Sequence, residues 1–157
     1  MREINFCFVN QDLSAEEREI LRPRRQSSLA SGFDLVSAEK QPLILSPGVR
    51  LLVSTGVKIA LEPGFEGQVR ARSGLALKHG LMVLNSPGTI DADYRGEIKV
   101  ILANLSSEAF TINFGMRIAQ LVVAPVCLAE LTLVESLEES ARGEQGFGST
   151  GITERAL

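Results

Sequence analysis

Two carboxylates and the only tyrosine of the chain lie close together in the sequence, as Asp91, Asp93 and Tyr94. Side chains two residues apart on a strand face the same side, so the two acids point together if this segment is extended. Burial of an unpaired carboxylate is costly, which argues against an ordinary core strand. The segment is then either a solvated acidic turn or a site where one carboxylate acts as a base or holds a metal-bound substrate.

A glycine-rich segment near the C-terminus could bind phosphates. Residues 143–151 contain four glycines, follow Arg142 and enclose one aromatic residue, Phe147. Small residues leave backbone N–H groups free to surround phosphates, and an aromatic ring can stack on a base. The segment is not a P-loop, because the Gly-Lys-Ser/Thr ending is missing. The alternative interpretation is an idle, flexible linker.

A third candidate site is the start of a short predicted helix. Ser73 is an N-cap type of residue and Gly80 is a helix terminator, so together they predict a helix over residues 73–80. Arg72 and the free backbone N–H groups of the first turn would suit an anion.

Two further helix and loop features can be predicted from local sequence. Ser14 and Glu17 form a capping box that predicts a short helix over residues 14–21. The basic run from Arg22 to Arg25 is predicted to be a solvated connector.

The remaining elements are short and strand-like, which predicts an all-β sandwich or barrel. Residues 118–133 form a long β-branched stretch that Pro125 interrupts, which predicts a bulge, an edge strand or a break between two strands. Three Pro-Gly pairs predict turns, because proline presets φ and glycine accepts a positive φ: Pro47-Gly48, Pro63-Gly64 and Pro87-Gly88. Four phenylalanines are expected in the core: Phe33, Phe65, Phe110 and Phe114. We expect one β domain over residues 1–137 and a flexible glycine-rich tail over residues 138–157.

Composition describes an ordinary soluble, single-domain protein. The chain has 157 residues and a net charge of −3, so it lacks the basic field of a non-specific nucleic-acid binder. No apolar run approaches the roughly 20 residues that span a bilayer, and the N-terminus does not have a signal-peptide pattern, so we expect a cytoplasmic protein. Cys7 and Cys127 lie in apolar runs and are predicted to be reduced, buried thiols. A single histidine argues against a zinc site of the usual spacing.

Five segments, in order, resemble the five motifs of the trimeric deoxyuridine triphosphate nucleotidohydrolases, or dUTPases. The first and second are Ala-Ser-Gly-Phe-Asp-Leu-Val-Ser-Ala at residues 30–38 and Arg-Ser-Gly-Leu-Ala at residues 72–76. The third is residues 85–97, which contain the acids and the tyrosine. The fourth is Gly-Met-Arg-Ile-Ala-Gln-Leu at residues 115–121, and the fifth is the glycine-rich segment at residues 142–151. Met116 stands where the fourth motif usually has an acid, a departure that concerns local ion pairing.

The resemblance implies an all-β, jelly-roll-like sandwich or distorted barrel with one or two short helices. It also implies a homotrimer that hydrolyses dUTP to dUMP and pyrophosphate with Mg²⁺ as cofactor. This reaction limits uracil in DNA and supplies dUMP for dTMP synthesis. In this family each active site draws motifs from three subunits, and the tail closes over a neighbour's site. Neither a nucleic acid nor a membrane is expected as a partner.

The resemblance also implies roles for individual residues. Asp91 is the candidate base for the water that attacks the α-phosphorus, and Asp93 is its structural neighbour. Asp34 would touch Mg²⁺ indirectly through water, because Mg²⁺ keeps several waters and is held mainly by the triphosphate. Arg95 and Arg117 are expected to form ion pairs or interfaces.

The substrate-binding residues divide by the part of dUTP that they would contact. The hairpin at Asn85 would recognise uracil through its backbone, and Tyr94 would pack under the deoxyribose and leave no space for a 2′-hydroxyl. Phe147 would cover the uracil. The full implied substrate-binding set is Arg72, Ser73, Gly74, Asn85, Thr89, Tyr94, Gln120, Arg142, Phe147, Gly148 and Ser149.

Two other functions remain open at the level of sequence. A dCTP deaminase, alone or with dUTPase activity, shares the fold and some motifs, but its family lacks the Tyr94-type residue and the glycine-rich tail. A catalytically silent jelly-roll binding module is the other alternative. It has no need of Asp91, Arg72 and such a tail together.

Overall fold

The computed structural model describes residues 3–144, and over these residues the chain is built mainly of short antiparallel strands. The predicted all-β architecture with two short helices is confirmed. The strands are β1 (Asn5–Phe8), β2 (Gly32–Val36), β3 (Leu43–Leu45), β4 (Arg50–Ser54), β5 (Val57–Ala60), β6 (Phe65–Arg70), β7 (Leu81–Val83), β8 (Gly88–Ile90), β9 (Lys99–Asn104), β10 (Phe110–Ile112) and β11 (Arg117–Pro125).

Both predicted helices form, and each is seven residues long. Helix α1 spans Ala15–Leu21 and begins with the predicted capping box. The Ser14 Oγ accepts from the Glu17 backbone N–H at 3.2 Å, and the Glu17 Oε2 accepts from the Ser14 backbone N–H at 2.9 Å. Helix α2 spans Ser73–His79 and ends at Gly80, whose φ of 61° is left-handed.

The strands form four sheets over the described residues, and none of the four closes into a barrel. The largest sheet has the order β2-β11-β6-β8, and a second has the order β4-β9-β7. Two-stranded sheets, β1-β5 and β10-β3, complete the architecture. The long β11 is central to the largest sheet, because it pairs with β2 on one side and with β6 on the other.

The core lies between the sheets and is filled almost entirely by aliphatic side chains. Strand β5 shows the reason, since its residues alternate between buried and partly exposed, as expected for a strand with one face on the core. The chain changes sheet at Gly56, whose φ is 73°, so that β4 and β5 pair with different partners. The largest fully buried apolar side chains are Leu35, Leu45, Leu81, Ile98, Leu102, Ile112, Ile118, Val53, Val57, Val83 and Val100.

Two turns follow the predicted mechanism and one does not. Gly48 and Gly64 have φ values of 72° and 86°, as expected after a proline at the first central position of a turn. Gly88 is instead the first, buried residue of β8, and the Ser86–Pro87 peptide bond before it is cis.

Several predicted burials are wrong. Cys7 and Cys127 are both exposed, because Cys7 lies on the small β1-β5 sheet and Cys127 follows the last strand. None of the four phenylalanines is fully buried. Phe110 and Phe114 pack against the two core clusters, whereas Phe33 and Phe65 line a cavity of about 200 Å³ at the edge of the sandwich.

The arginines of the basic run are exposed, as predicted for a solvated connector, and they also make contacts with the fold. The Arg25 guanidinium lies 4.6 Å from the centroid of the Phe33 ring, and that of Arg22 lies 5.9 Å from the Phe6 ring. The Arg24 side chain donates to the Glu19 carbonyl at 2.7 Å. All three arginines of the run therefore have a partner: two make cation–π contacts and one binds the C-terminal end of α1.

The chain leaves the sandwich at Pro125, which ends β11, and the β-branched stretch does not continue as a strand beyond it. Residues 126–144 form no helix or strand, apart from a turn near the end of the described chain. This segment, called the C-terminal arm below, exposes a series of large apolar side chains: Val126, Leu128, Leu131, Leu133, Val134 and Leu137. Among the described residues, no helix has the length and apolar character needed to cross a membrane.

Candidate active site

The largest sheet brings residues of three separate sequence segments to one end of β6. Asp34 of β2 is opposite Gln120 of β11, and Gln120 is in turn opposite Arg70 of β6. Arg72 follows two residues later, at the start of α2. Strand register therefore places Asp34, Gln120 and Arg72 together, in what we call the phosphate cluster.

Asp34 orients two arginines in this cluster. Its Oδ1 lies 3.3 Å from the Arg72 Nε, and its Oδ2 lies 3.5 Å from the Arg117 Nη1. The Arg72 Nη1 also donates to the Arg117 carbonyl at 3.1 Å. The Asp34 side chain is largely buried, so these contacts are partly shielded from solvent. The predicted ion-pair role of Arg117 is confirmed.

Gln120 supports the same cluster through a hydrogen bond to the backbone. Its Nε2 donates to the Ala71 carbonyl at 3.1 Å, immediately before Arg72. Room for the amide depends on Gly32, because a Cβ at that position would lie 2.8 Å from the Gln120 Oε1. The sequence pattern indicated Gln120 as a substrate contact but did not reveal this backbone contact.

The first turn of α2 contributes backbone groups to the phosphate cluster. Ser73 and Gly74 are exposed, and their N–H groups are among those that an α-helix leaves without intrahelical acceptors. The N-cap is Arg72 and not Ser73, and it makes no side-chain cap hydrogen bond. The helix prediction is confirmed, but the assignment of Ser73 as its cap is wrong by one residue.

Asp91 lies directly after β8, in a tight turn. The Tyr94 backbone N–H donates to the Asp91 carbonyl at 3.1 Å, and the Arg95 Nη1 donates to the Ala92 carbonyl at 2.6 Å. Asp91 and Asp93 are both exposed. The segment is not extended between the two acids, because the chain turns there, so they do not share one strand face. This arrangement matches the solvated acidic turn of the two interpretations open from the sequence.

Tyr94 borders an open cleft beside this turn. Its Oη donates to the Glu97 carbonyl at 2.9 Å. The cleft, called the nucleoside cleft below, has a volume of about 300 Å³ and is lined by Leu52, Thr89, Ile90, Asp91, Tyr94, Glu97 and Lys99. Three predicted site residues, Thr89, Asp91 and Tyr94, therefore lie together. Leu52 and Lys99 were not predicted, because they come from β4 and β9 and only pairing of these strands places them here.

Asn85 lies in the short connection between β7 and β8. Its side chain is exposed, and its Nδ2 would be 3.0 Å from a Cβ added to Gly88. The absence of a side chain at Gly88 therefore leaves room for the Asn85 amide. The hairpin expected at Asn85 does not form as a strand pair, because β7 and β8 belong to different sheets. Asn85 does not line the nucleoside cleft of its own chain.

The phosphate cluster and the nucleoside cleft lie at opposite ends of β6. Strand β8 is antiparallel to β6, with Gly67 opposite Ile90 and Val69 opposite Gly88. Asp91 is thus level with the start of β6, whereas Arg72 follows its end. By this register Asp91 is level with Glu66, six residues before Arg72. At roughly 3.3 Å per residue, the backbones of Asp91 and Arg72 are separated by about 20 Å along the strand direction. One copy of the chain does not bring the two halves together.

The predicted tail residues are only partly within the described chain. Arg142 lies in the turn near the end of the C-terminal arm and takes part in an interaction of its own. Phe147, Gly148 and Ser149 lie outside the described residues, so their predicted roles stay predictions.

The described residues contain no group of three or more histidine, cysteine or acidic side chains that could hold a metal ion. Asp34 is the acid of the phosphate cluster, and its two oxygens face guanidinium groups. A divalent cation at this position would need most of its ligands from water and from a bound anion.

Comparison with known proteins gives a consistent match. A family model described as dUTPase matches residues 18–151. The deoxyuridine 5′-triphosphate nucleotidohydrolase of Wolinella succinogenes is 61% identical over 129 residues, which cover 82% of this chain and 85% of the relative. The protein of the same name from Ehrlichia canis is 58% identical over 132 residues, covering 83% and 86% of the two chains.

Solved structures with the same fold are also dUTPases. The Staphylococcus bacteriophage 80alpha dUTPase with dUpNHpp has a TM-score of 0.80 and 27% identity, with 97% of this chain and 100% of that chain covered. A mutant dUTPase from phage phi11 of S. aureus, described with a structural Mg(II) ion, has a TM-score of 0.74 and 23% identity. It covers 88% of this chain. These similarities confirm the predicted jelly-roll-like β fold.

Proposed function

This chain belongs to the dUTPase family, and on that premise we propose how its residues carry out the hydrolysis of dUTP. It is a dUTP diphosphatase, an enzyme that releases dUMP and pyrophosphate. The observation that carries the residue-level proposal is the nucleoside cleft, where Asp91 lies beside Tyr94. The cleft places a carboxylate next to an aromatic ring large enough to support a sugar.

Asp91 acts as the general base. It accepts a proton from a water molecule whose oxygen forms a bond to the α-phosphorus. The bond from the α-phosphorus to the oxygen that bridges to the β-phosphate breaks, and pyrophosphate leaves with that electron pair. The exposed position of Asp91 at the end of β8 makes its carboxylate accessible to such a water. A positioned base of this kind typically contributes a rate factor of about 10² to 10⁴.

The phosphate cluster binds the triphosphate. Arg72 supplies the charge, and Ser73 and Gly74 supply a hydroxyl and backbone N–H groups at the start of α2. The contacts of Arg72 with Asp34 and with the Arg117 carbonyl support this role, because they hold the guanidinium in a defined orientation. Phosphoryl transfer depends mainly on such positioning and charge stabilisation.

Mg²⁺ fits the cluster as a cation carried by the substrate. When bound, it would neutralise charge on the phosphate oxygens. Asp34 would contact its hydration shell through water, which suits a single carboxylate that is already paired with two arginines. The donor set does not fit a metal held by protein side chains alone.

We propose a homotrimer in which each active site combines residues of different subunits. The separation of the nucleoside cleft from the phosphate cluster supports this arrangement, because the substrate must reach both. The C-terminal arm supports it too. Its leucines at 128, 131, 133 and 137 are exposed, and burying each against a neighbour would contribute about 2 kcal/mol.

The remaining roles concern recognition of the nucleoside and closure of the site. The β7–β8 connection at Asn85 recognises uracil through its backbone, and Thr89 lines the wall of the cleft. Tyr94 supports the deoxyribose and excludes a 2′-hydroxyl. The tail residues Arg142, Phe147, Gly148 and Ser149 close over a site of a neighbouring subunit. A cytoplasmic location also remains a prediction.

The test is a substrate panel with the full-length chain. Pyrophosphate release is measured with dUTP, dTTP, dCTP and UTP, each with Mg²⁺ and after chelation with EDTA. Ammonia release is followed in parallel with dCTP. We expect rapid turnover of dUTP alone, with a loss of at least about tenfold in kcat/KM when Mg²⁺ is removed.

Each measurement of the panel tests a different part of the proposal. Ammonia from dCTP would identify a deaminase and contradict the assignment. Equal turnover of dUTP and dTTP would contradict uracil recognition by the β7–β8 connection at Asn85. Undiminished turnover in EDTA would contradict the role of Mg²⁺.

A further inference from the structure

The Tyr94 ring lies directly over Gly96. A Cβ added to Gly96 would be 2.5 Å from the Tyr94 Cζ and 2.9 Å from its Cε2, and would also collide with the Tyr94 Oη. Carbon atoms in ordinary contact are about 3.5 Å apart, so the ring occupies the space of the missing side chain. Among the glycines of the described chain, only Gly96 has Tyr94 atoms as the nearest neighbours of an added Cβ.

The polar end of the ring is fixed to the same loop. The Tyr94 Oη donates to the Glu97 carbonyl at 2.9 Å. Glu97 is itself held in place, because its Oε1 accepts from the Gly56 backbone N–H at 2.8 Å and its Oε2 lies 3.6 Å from the Lys99 Nζ. A chain of contacts therefore connects the ring to the turn between β4 and β5.

We propose that Gly96 is a specificity-determining positioning residue, which fixes the height of the Tyr94 ring in the nucleoside cleft and so sets the discrimination between deoxyribose and ribose. The inference rests on the proposed role of Tyr94 in supporting the sugar. It extends that role, because exclusion of a 2′-hydroxyl requires the ring to be held within a fraction of an ångström. The contact with Gly96 limits the position of the ring, and the hydrogen bond to the Glu97 carbonyl fixes its Oη.

Substitution of Gly96 by alanine is a sharp probe of this arrangement. Gly96 is not one of the described glycines that have a positive φ, so its backbone accepts alanine. The three nearest atoms to the added methyl group all belong to the Tyr94 side chain. The ring would therefore move by about 1 Å while the surrounding backbone is retained.

The kinetic test compares kcat/KM for dUTP with kcat/KM for UTP. In Gly96→Ala we expect the dUTP-to-UTP ratio to fall by about tenfold or more, since steric selection in a pocket is typically worth this much per group. In Tyr94→Phe, which keeps the ring but loses the contact with the Glu97 carbonyl, the ratio should fall about two- to tenfold. The second variant keeps the test decisive if Gly96→Ala does not fold.

Ile112→Val is the control for general loosening. Ile112 is fully buried in β10, which pairs with β3, and it does not line the nucleoside cleft. Loss of one buried methyl group weakens the packing of the core, so we expect this variant to unfold at a lower temperature with an unchanged dUTP-to-UTP ratio. An equal loss of discrimination in Ile112→Val would show that general loosening is sufficient, and would overturn the proposal.

A double-mutant cycle tests whether Gly96 acts through the ring. In a Tyr94→Ala background, Gly96→Ala should change the dUTP-to-UTP ratio by less than about twofold. Fully additive effects of the two substitutions would overturn the proposal, as would a Gly96→Ala enzyme with the ratio of the unmodified chain.

Fluorescence provides a readout that is independent of activity. The chain contains one tyrosine and no tryptophan, so its intrinsic emission reports on Tyr94 alone. Displacement of the ring from Gly96 should make quenching by acrylamide steeper, whereas an unchanged quenching slope would contradict the movement. Failure of the proposed function has a different signature, because the unmodified chain would then not release pyrophosphate from dUTP.

Discussion

At the scale of single residues, the structure revises the expected role of Asp34 more than that of any other predicted site residue. The sequence motif indicated a carboxylate near Mg²⁺, whereas the observed partners are the guanidiniums of Arg72 and Arg117. The two roles are compatible, since a water-mediated cation contact leaves both pairs intact. Asp34 is thus first of all a residue that orients Arg72.

Asp91 and Asp93 offer a direct test of the proposed base. In Asp91→Asn we expect kcat for dUTP to fall about 100-fold or more, because the amide cannot accept the proton from water. The KM and the melting temperature should change little, since Asp91 is exposed. Pyrophosphate release and a thermal melt measure these quantities.

Asp93→Asn is the control for Asp91→Asn. It makes the same chemical change two residues away, at another exposed position, so kcat should stay within about threefold of that of the unmodified chain. If Asp91→Asn retained normal turnover, or if both variants lost activity equally, Asp91 would not be the base.

At the scale of elements, Asn104 connects strands that share no direct pairing. Its buried Nδ2 donates to the Leu45 carbonyl at 2.9 Å and to the Glu108 carbonyl at 2.7 Å. Its Oδ1 accepts from the Ser106 backbone N–H and from the Ser106 Oγ, both at 2.8 Å. The side chain thereby fixes β9 to β3 and to the loop before β10.

We expect Asn104→Ala to lower the free energy of unfolding by about 3 kcal/mol, because it leaves several buried groups without partners. Urea denaturation at a fixed protein concentration measures this, since the stability of an oligomer depends on concentration. Ser107→Ala, in the same loop at an exposed position, should change the stability by less than about 0.5 kcal/mol. A stable Asn104→Ala variant would mean that the strands hold this loop without it.

At the scale of the whole molecule, the arm and the divided active site point to the same assembly. The C-terminal arm exposes apolar side chains, whose exposure to water does not stabilise a monomer. The phosphate cluster and the nucleoside cleft lie at opposite ends of β6. Exposed apolar surface of this extent marks an interaction site. The proposed homotrimer explains both features.

Two truncations separate assembly from closure. Ending the chain after Pro125 removes the arm, so we expect loss of the trimer together with loss of activity. Ending it after Glu139 retains the arm's leucines but removes the glycine-rich segment. This protein should remain a trimer while kcat falls at least about tenfold, because the site is no longer closed.

Analytical ultracentrifugation and pyrophosphate release distinguish the outcomes of the truncations. A trimer that persists without the arm would show that the sheets alone form the interface. Full activity after truncation at Glu139 would reduce the glycine-rich segment to a linker.

The sequence by itself determined the features that depend on local chemistry. The capping box at Ser14 predicted α1, and Gly80 predicted the end of α2, because hydrogen bonds and backbone angles within a few residues decide both. The order of the five motifs likewise indicated the family, which the comparisons confirm.

Only the tertiary structure decided which side chains meet and which are exposed. Arg117 faces Asp34, and Leu52 lines the nucleoside cleft, because strands distant in sequence pair in a particular register. Cys7 is exposed although its neighbours are apolar, since burial depends on what covers a sheet and not on the composition of one strand. The contact of the Tyr94 ring with Gly96 also depends on the tertiary structure, because the conformation of the folded loop brings the two residues together.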